Sequence, residues 1–321
     1  MISKQVRIKK VNEPQVLVLS NKYDYSTDYI CIELEKRDIP YLRLNRDMFD
    51  SYEIVVDLQC KQMTIVINAT TYLISDDILK AVYFRAPVFL RNAKPYSVNE
   101  QLERGQWSSF IRNLIIFDKA KWINHPVKTY RAENKIFQLQ VAADVGLEVP
   151  HTWCGNVIPE DLTDEKYIVK SLDTALFYDN GLEMFTYSSI VSRDELQTVQ
   201  IHEAPVIIQQ FIQDKIDIRV TFIDGRMFPV SIMDNMGGIT GDWRKTPKEI
   251  LRYSLISIPE DVQKKLCLLM KEMELSFGGI DLALTNDKYY FIEANPTGEW
   301  GWLKKLTGCP IDEAIVDSFE V

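Results

Sequence analysis

The spacing of apolar residues predicts alternating strands and helices in the first third of the chain. The apolar run Gln15 to Leu19 predicts a buried strand, and helical spacing predicts a long helix from Val98 to Phe117. The remaining predicted elements are one helix at 26–37 and strands at 41–44, 53–58, 63–68 and 82–85. This order indicates a small N-terminal α/β domain.

Near Asn124-His125-Pro126 the pattern changes, and the rest of the chain is typical of an α+β protein. A helix is predicted from about Arg131 to Val145, with Thr129 as its N-cap and Gly146 as the residue that ends it. Further strands are predicted at 167–170, 206–212, 216–223, 226–233, 279–284 and 289–294. A second helix begins at Pro259 and carries the apolar stripe Val262, Leu266, Leu269, Met270 and Met273.

Two dipeptides predict tight hairpin turns. Asn180-Gly181 separates β-prone runs within 176–186, and Asp224-Gly225 joins the strands at 216–223 and 226–233. Both residues of such a two-residue turn adopt positive φ, which Asn, Asp and Gly tolerate best.

Composition narrows the class of function. The chain has 321 residues, 46% of them hydrophobic, and 37 Lys+Arg against 46 Asp+Glu give a net charge of −9. An acidic chain argues against a protein that binds nucleic acid by neutralising phosphates. No apolar run approaches the roughly 20 residues that cross a bilayer, and the start MISKQVRIKK lacks the apolar stretch of a secretion signal. We therefore expect a cytoplasmic protein without nucleic-acid or membrane partners.

The chain is poor in the residues of zinc sites and histidine-based catalysis. It has three histidines and five cysteines, and no CxxC spacing. A metal in this protein is therefore expected to have oxygen ligands.

Two carboxylates interrupt the apolar strands near the C-terminus. Asp281 and Glu293 each occupy a half-buried strand position, where a charge needs a partner or a metal. A hairpin loop of three or five residues would place them opposite each other on one face, together with Asn295; a two-residue loop at Asn286-Asp287 would place them on opposite faces. The first arrangement suits Mg²⁺ bound with nucleotide phosphates. The alternative is that Glu293 pairs with a Lys or Arg while Asp281 caps a turn.

Several cationic side chains are candidates for binding an anion. Lys170 ends the apolar strand YIVK, and Lys135 lies on the predicted helix; each is either an anion ligand or a solvated lysine. Asp217 and Arg219 share one face of a strand, where they form a salt bridge or Arg219 stabilises phosphate charge. Arg244 lies in a loop after a glycine pair.

These pieces, in their order along the chain, resemble an ATP-grasp ligase of the microviridin-type or graspetide macrocyclase family. Each motif is weak alone, but their joint order is specific and covers most of the chain from residue 80 onward. The motifs are YFRAP (83–87), WINHP (122–126), AENKIFQLQVAADVGLEVPHT (132–152), YIVKS (167–171), APVIIQQFI (204–212), DIRVTFIDGRMFPVSI (217–232), GDWRK (241–245), SFGGIDLAL (276–284), FIEANPTGEWGWL (291–303) and TGCPI (307–311).

The resemblance implies an ATP-grasp fold in three parts. These are an N-terminal α/β (pre-ATP-grasp) domain at 1–126, a central ATP-grasp subdomain with a precursor-binding hairpin at 127–210, and a C-terminal subdomain with the metal site at 211–321. It also implies ATP and Mg²⁺ as cofactors, a precursor peptide with leader and core segments as the partner, and a homodimer.

The resemblance further implies roles for individual residues. ATP would contact Lys135, Lys170, Gln209, Gln210, Phe211, Ile212 and Leu282. Mg²⁺ would be held by Asp281, Glu293 and Asn295. Arg219, Asp217 and Arg244 would be catalytic, with Arg219 at the phosphate and Asp217 either receiving a proton or pairing with Arg219.

The implied reaction joins two side chains of one precursor peptide. An Asp or Glu side chain becomes an acyl phosphate, which a Ser or Thr hydroxyl or a Lys amine then captures. The 176–186 region lacks a glycine-rich phosphate lid and resembles the element that binds the leader, so Tyr178, Asp179 and Glu183 are expected to contact the peptide; the alternative is a solvated hairpin. The competing functions are an intermolecular ATP-grasp carboxylate-amine ligase and a binding protein without turnover.

Overall fold

The computed structural model describes residues 11–86, 96–173, 188–199, 201–235 and 237–321, together with the backbone of 176–179 and 182–185. Contacts divide this part of the chain into two compact units. The first unit holds the described residues within 1–88, 98–126 and 312–321, and the second holds those within 89–97 and 127–311.

The helices are mostly short. They are α1 (Tyr25–Lys36), α2 (Val98–Asn113), α3 (Pro126–Ala132), α4 (Lys135–Asp144), α5 (Arg193–Thr198), α6 (Glu260–Glu272), α7 (Gly301–Thr307) and α8 (Ile311–Asp317). Within the described ranges, none is long and apolar enough to span a membrane.

The strands fall into four sheets and one separate hairpin. In chain order they are β1 (Val11–Asn12), β2 (Val16–Ser20), β3 (Tyr41–Asn45), β4 (Glu53–Asp57), β5 (Gln62–Ile67), β6 (Thr70–Ser75), β7 (Ala81–Phe84), β8 (Lys121–Ile123), β9 (Thr152–Gly155), β10 (Lys166–Lys170), β11 (Leu176–Asp179), β12 (Leu182–Phe185), β13 (Ser189–Ser192), β14 (Val206–Gln210), β15 (Ile216–Ile223), β16 (Arg226–Met233), β17 (Arg252–Leu255), β18 (Phe277–Thr285) and β19 (Lys288–Asn295).

The first unit is built on a parallel sheet of order β3-β2-β7-β8. All five residues of β2 are buried, as expected for the central strand of a parallel sheet covered on both faces. A second sheet, β1-β6-β5-β4, is mostly antiparallel.

The C-terminal residues pack within this first unit. Arg37, which follows α1, donates from Nη1 to Asp317 Oδ1 at 2.6 Å, and Lys121 Nζ lies 2.6 Å from Glu320 Oε1. The Phe319 ring, 1% exposed, contacts Tyr83 on β7. Residues 312–321 therefore complete the unit that 11–86 and 98–126 form.

Besides the β11–β12 hairpin, the described residues of the second unit form two antiparallel sheets. The smaller, of order β13-β10-β14-β9, packs apolar residues such as Tyr167 and Ile208 against Leu196 of α5. The larger, of order β17-β16-β15-β18-β19, is covered on one face by α6 and α4. The predicted stripe of α6 is buried in that core, because apolar residues at helical spacing form one face.

Tight turns join the strands of the larger sheet. Asp224 and Gly225, between β15 and β16, adopt φ of 44° and 88°, which confirms the turn predicted there. In the smaller hairpin, β11 pairs with β12 so that Tyr178 is opposite Glu183 and Asp179 is opposite Leu182. The predicted Asn180-Gly181 turn and the side chains of this hairpin lie outside the described residues.

The predicted helix from Arg131 to Val145 is wrong in one respect, because it is two helices. Asn134 separates α3 from α4, and its Nδ2 donates to the carbonyls of Tyr130 and Arg131 at the end of α3. Thr129 is a buried residue inside α3 and not an N-cap. Gly146 follows α4 with φ of 81°, as predicted.

Candidate active site

A cavity of about 350 Å³ opens in the second unit and is lined by residues of both of its antiparallel sheets. The residues that line it come from α4, β10, β14, β15, β18, β19, the loop at 241–244 and the segments next to these elements. The predicted site residues among them are Lys135, Lys170, Gln209, Gln210, Phe211, Ile212, Asp217, Arg244, Asp281, Glu293 and Asn295.

The two carboxylates face each other across neighbouring strands, but not for the predicted reason. Asp281 on β18 pairs with Glu293 on β19, although the strands are joined by the two-residue turn Asn286-Asp287. A β-bulge at Ile292 adds one residue to β19 and shifts the register between Leu282 and Asp281. The bulge, and not an odd number of loop residues, therefore places the two carboxylates opposite each other on one face.

Arginines compensate the carboxylates in this structure. Arg219 lies opposite Asp281 on β15, and its Nη1 donates to both carboxylate oxygens at 2.9 Å. Arg244 Nη1 lies 3.9 Å from Glu293 Oε1, as the ion-pair alternative predicts for Glu293. Asp281 lies within a strand, so the expectation that it caps a turn is wrong.

Asn295 completes the cluster on the same face. Its side-chain amide nitrogen is 3.4 Å from Asp281 Oδ2 and 3.3 Å from Glu293 Oε1. Within the described ranges, no group of three or more His, Cys, Asp or Glu side chains could hold a metal ion. The candidate metal ligands therefore number two carboxylates and one amide.

The environment shifts the two carboxylates in opposite directions. Burial raises the pKa of Asp281, and the Glu293 charge adds to this effect, while Arg219 opposes it. Burial also acts to raise the pKa of Glu293, but Arg244, Lys170 and Lys135 together lower it to about 2. Two like charges at one site commonly shift apart in this way, and here the cations act most strongly on Glu293.

Lys170 is held by a chain of hydrogen bonds. Its Nζ donates to Gln209 Oε1 at 2.6 Å, and Gln209 Nε2 donates to Thr152 Oγ1 at 2.8 Å. Thr152 Oγ1 in turn donates to the Pro150 carbonyl at 2.6 Å. Burial lowers the pKa of Lys170 to about 8, with Glu293 opposing and Lys135 and Arg244 adding to the effect.

Asp217 and Arg219 do not pair with each other. Both carboxylate oxygens of Asp217 accept from Lys215 Nζ at 2.5 Å, whereas Arg219 is bound to Asp281. Burial raises the pKa of Asp217 to about 6, and repulsion from Asp281 and Asp242 adds to this effect. The attraction of Lys215 lowers the pKa but is the weaker influence. Sequence reasoning missed Lys215, which directly precedes β15; its spacing of two residues from Asp217 was the available signal.

The loop at 241–244 positions Arg244. Asp242 accepts from the Arg244 backbone N–H at 3.1 Å and from Arg244 Nε at 2.9 Å. The Asp242 side chain is only 3% exposed, so it fixes the guanidinium beside the cavity. Asp242 had no predicted role of its own.

Two predicted site residues, Leu282 and Arg219, do not line the cavity. Leu282 is 1% exposed and packs in the apolar core beneath α6, on the strand face opposite Asp281. Arg219 is absent from the cavity lining but contacts Asp281, which belongs to it. The roles of Tyr178, Asp179 and Glu183 depend on side chains outside the described residues.

Solved structures with the same fold match nearly the whole chain. The macrocyclase MdnC of Microcystis aeruginosa MRC, bound with its precursor peptide MdnA, is 22% identical with a TM-score of 0.79, over 94% of this chain and 98% of that one. A RiPP-associated ATP-grasp ligase of Chryseobacterium gregarium, in complex with ADP and a leader and core peptide, is 20% identical with a TM-score of 0.84, over 95% and 96%. D-alanine–D-alanine ligase of Bacillus anthracis is 11% identical with a TM-score of 0.56, over 95% and 97%.

The chain has no sequence match among curated proteins. A family model of the RimK-like ATP-grasp domain does match, over residues 132–319. That span is more than half of the chain and contains every residue that lines the cavity. This protein therefore belongs to the RimK-like ATP-grasp family.

Proposed function

We propose that this protein is an ATP-dependent ligase that cyclises a ribosomally made precursor peptide. It would phosphorylate an Asp or Glu side chain of the peptide and join it to a Thr or Ser hydroxyl as an ester, or to a Lys amine as an amide. The observation that carries the proposal is the match to a peptide-bound macrocyclase and to a peptide-bound RiPP-associated ATP-grasp ligase. Both matches extend along nearly the full length of both chains, with TM-scores of 0.79 and 0.84. The D-alanine–D-alanine ligase fold agrees less well, at 0.56.

The cavity offers cations for the phosphates of ATP. Lys135, Lys170 and Arg244 line it, and the first two come from different elements, α4 and β10. The connecting segment from Gln210 to Ile212 lies at its wall and supplies backbone groups and an aromatic ring for the adenine. Lys170 approaches the phosphates already oriented by Gln209, so little reorganisation is needed on binding.

The cluster at β18 and β19 fits Mg²⁺. Asp281, Glu293 and Asn295 offer carboxylate and amide oxygens, which are the ligands of a hard divalent cation, and Asn295 presents the oxygen after rotation of its amide. The opposed like charges also need compensation, to which Arg219 and Arg244 contribute at Asp281 and Glu293. When bound, Mg²⁺ would neutralise the negative charge of the ATP phosphates.

The proposed chemistry has two balanced steps. A carboxylate oxygen of the peptide attacks the γ-phosphorus, the bond to ADP breaks, and an acyl phosphate forms. A hydroxyl or amine of the same peptide then attacks the acyl carbon, phosphate leaves, and the nucleophile's proton passes to a base. Arg219 and Arg244 would offset the phosphoryl charge.

Asp217 is the candidate base for the second step. It lines the cavity, and its pKa of about 6 leaves it ionised at neutral pH. This pKa is also near enough to neutral pH for the carboxylate to accept a proton during the reaction. Lys215 holds its carboxylate in place.

The leader is proposed to bind the β11–β12 hairpin through Tyr178, Asp179 and Glu183, with a basic leader residue contacting the two acidic side chains. Weaker leader binding by Asp179→Ala/Glu183→Ala is the expected result, and unchanged affinity would contradict it.

Mass spectrometry tests the proposed function. Short peptides rich in Thr, Ser, Asp and Glu that are encoded beside the gene are incubated with the protein, ATP and Mg²⁺. The expected product has lost one water per ring, with one ADP released for each. A mass gain on a separate acceptor would instead identify an intermolecular ligase.

Glu293→Gln is expected to reduce ATP consumption by at least about a hundredfold, because it removes one of the metal-binding carboxylates. Glu272→Gln on the exposed side of α6 is the matched control and should behave as the wild type. ATP turnover at the wild-type rate in Glu293→Gln would refute the metal site. The homodimer and the cytoplasmic location are further parts of the proposal, and light scattering of the purified protein tests the first.

A further inference from the structure

We propose that Gly279 and Gly298 are positioning residues, which form a seat for the Arg219 guanidinium and thereby keep it on Asp281. The proposal concerns residues to which no role has been given so far. It rests on the proposed function only for its kinetic test, because the packing that carries it is independent of the reaction.

The hydrogen bonds of Arg219 come from one end of its guanidinium. Nη1 donates to Asp281 Oδ1 and Oδ2, both at 2.9 Å. The residue is 8% exposed, and its buried Nε has no hydrogen-bond partner among the described residues. A single nitrogen therefore anchors the group, and its orientation must depend on what packs around it.

The two glycines pack directly against the other end. A Cβ added to Gly279 would lie 2.3 Å from Nη2 and 2.5 Å from Cζ of Arg219, and one added to Gly298 would lie 2.6 Å from Nη2. Real Cβ atoms essentially never come so close to another heavy atom. Any side chain at position 279 would therefore compete with the guanidinium for the same space.

The backbone itself does not require glycine at either position. Neither Gly279 nor Gly298 has a positive φ, unlike Gly225 or Gly308, so an L-residue could adopt both conformations. Glycine within a strand also weakens it, because glycine loses more conformational freedom on folding. The space taken by Arg219 is thus the physical reason for a glycine on β18 two residues before Asp281.

A side chain at position 279 would change the charge balance at the candidate metal site of Asp281, Glu293 and Asn295. Because the clash would be with the end of a flexible side chain, Gly279→Ala is relieved by moving Arg219 and leaves β18 paired. Asp281 then loses the cation that contacts it, and a buried carboxylate without its partner is strongly unfavourable. The glycine seat therefore acts on the site through Arg219.

A double-mutant cycle tests this coupling. Gly279→Ala is made in the wild type, in Arg219→Lys and in Arg219→Ala, and the Tm of each protein is measured. Gly279→Ala alone is expected to lower the Tm by about 3–8 °C, as for an overpacked site. In Arg219→Ala the same change should cost nothing, and in Arg219→Lys at most half as much, since Lys lacks the planar guanidinium. Arg219→Lys provides the cycle if Arg219→Ala does not fold.

The neighbouring glycine supplies the control. A Cβ on Gly278 would meet Met270 Cε at 2.9 Å, in the apolar core on the opposite face of the strand. Gly278→Ala should therefore cost the same Tm in all three backgrounds. If Gly279→Ala does so too, the seat is refuted.

Kinetics separate positioning from a purely structural role. Gly279→Ala is expected to lower kcat for cyclisation about tenfold or more with the KM for ATP nearly unchanged, and the double variant should be no slower than Arg219→Ala. Additive losses of kcat would contradict the proposal. If the wild type cyclises no peptide, the proposed function fails, while the Tm cycle still decides whether the glycines act through Arg219.

Discussion

Gln209 illustrates how much the role of one residue depends on its hydrogen bonds. The Pro150 carbonyl can only accept, so the Thr152 hydroxyl donates to it and accepts from Gln209 Nε2. This fixes the amide with Oε1 towards Lys170. The Gln209 side chain lines the cavity, but it is 2% exposed and bound to the lysine. Sequence could not reveal this, because the three polar partners come from separate segments.

Substitutions at Gln209 should move the pH dependence of ATP binding in opposite directions. The ammonium of Lys170 is protonated below its pKa of about 8, so wild-type affinity should be constant there and fall, by up to about tenfold per pH unit, above it. Gln209→Glu places a negative charge beside the ammonium, raises its pKa and shifts the fall to higher pH. Gln209→Leu removes the acceptor and shifts it to lower pH. Calorimetric titration with ATP between pH 7 and 10 measures the midpoint.

Lys170→Arg is the control for this titration. A guanidinium remains charged over the whole range, so the fall attributed to Lys170 should disappear. A wild-type midpoint that stays in place in both Gln209 variants would show that another group titrates.

At the scale of elements, the β18–β19 hairpin shows what sequence patterns predict and what they miss. Alternation correctly predicted both strands and the opposed carboxylates, since Asp281 and Glu293 interrupt apolar runs. The route to that register was wrong, because the turn has two residues and Ile292 forms a bulge. Isoleucine is common at ordinary strand positions, so the residue type does not indicate a bulge. The bulge can be recognised only from the pairing of the two strands.

The same hairpin offers a stability prediction. Asn286 and Asp287 adopt φ of 48° and 60°, a conformation that costs Asp more than Gly. Asp287→Gly should therefore stabilise the protein by about 0.5–1 kcal/mol, seen as a Tm higher by about 1–4 °C. Gly225→Asp, in the hairpin with φ of 88°, is the inverse change and should lower the Tm. A lower Tm for Asp287→Gly would mean that the Asp287 side chain has a stabilising role.

The helix around Asn134 was mispredicted for a related reason. Helical spacing continues through residues 131–145, so the pattern alone favours one helix. Asn134 ends α3 with side-chain bonds to carbonyls three and four residues earlier, and α4 begins anew at Lys135. Local side-chain bonding to the backbone thus overrode periodicity, and it placed Lys135 in the first turn of its helix.

For the molecule as a whole, composition described the surface better than the site. The net charge of −9 is compatible with a cavity lined by Lys135, Lys170, Lys215 and Arg244, because net charge says nothing about where charges lie. The order of weak motifs predicted an ATP-grasp ligase, and the match of an ATP-grasp family model over 132–319 confirms the ATP-grasp part of that prediction. Which cation pairs with which carboxylate could not be predicted, since it depends on strand register and burial.

Hydrogen exchange should locate nucleotide binding within the chain. All residues that line the cavity belong to the second unit, so ADP with Mg²⁺ should slow amide exchange in β10, β14 and β19. Adenosine should protect these strands far less, because it lacks the phosphates that the cationic side chains bind. Equal protection by adenosine and ADP would show that the cavity does not bind the phosphates.

The packing of residues 312–321 has a consequence for the order in which the protein matures on the ribosome. The strands of the first unit leave the ribosome early, but Asp317, Phe319 and Glu320, which contact Arg37, β7 and β8, are synthesised only after 127–311. The first unit therefore cannot reach its final packing until 127–311 have also been made. During translation, the later-encoded unit is the one that can finish folding first.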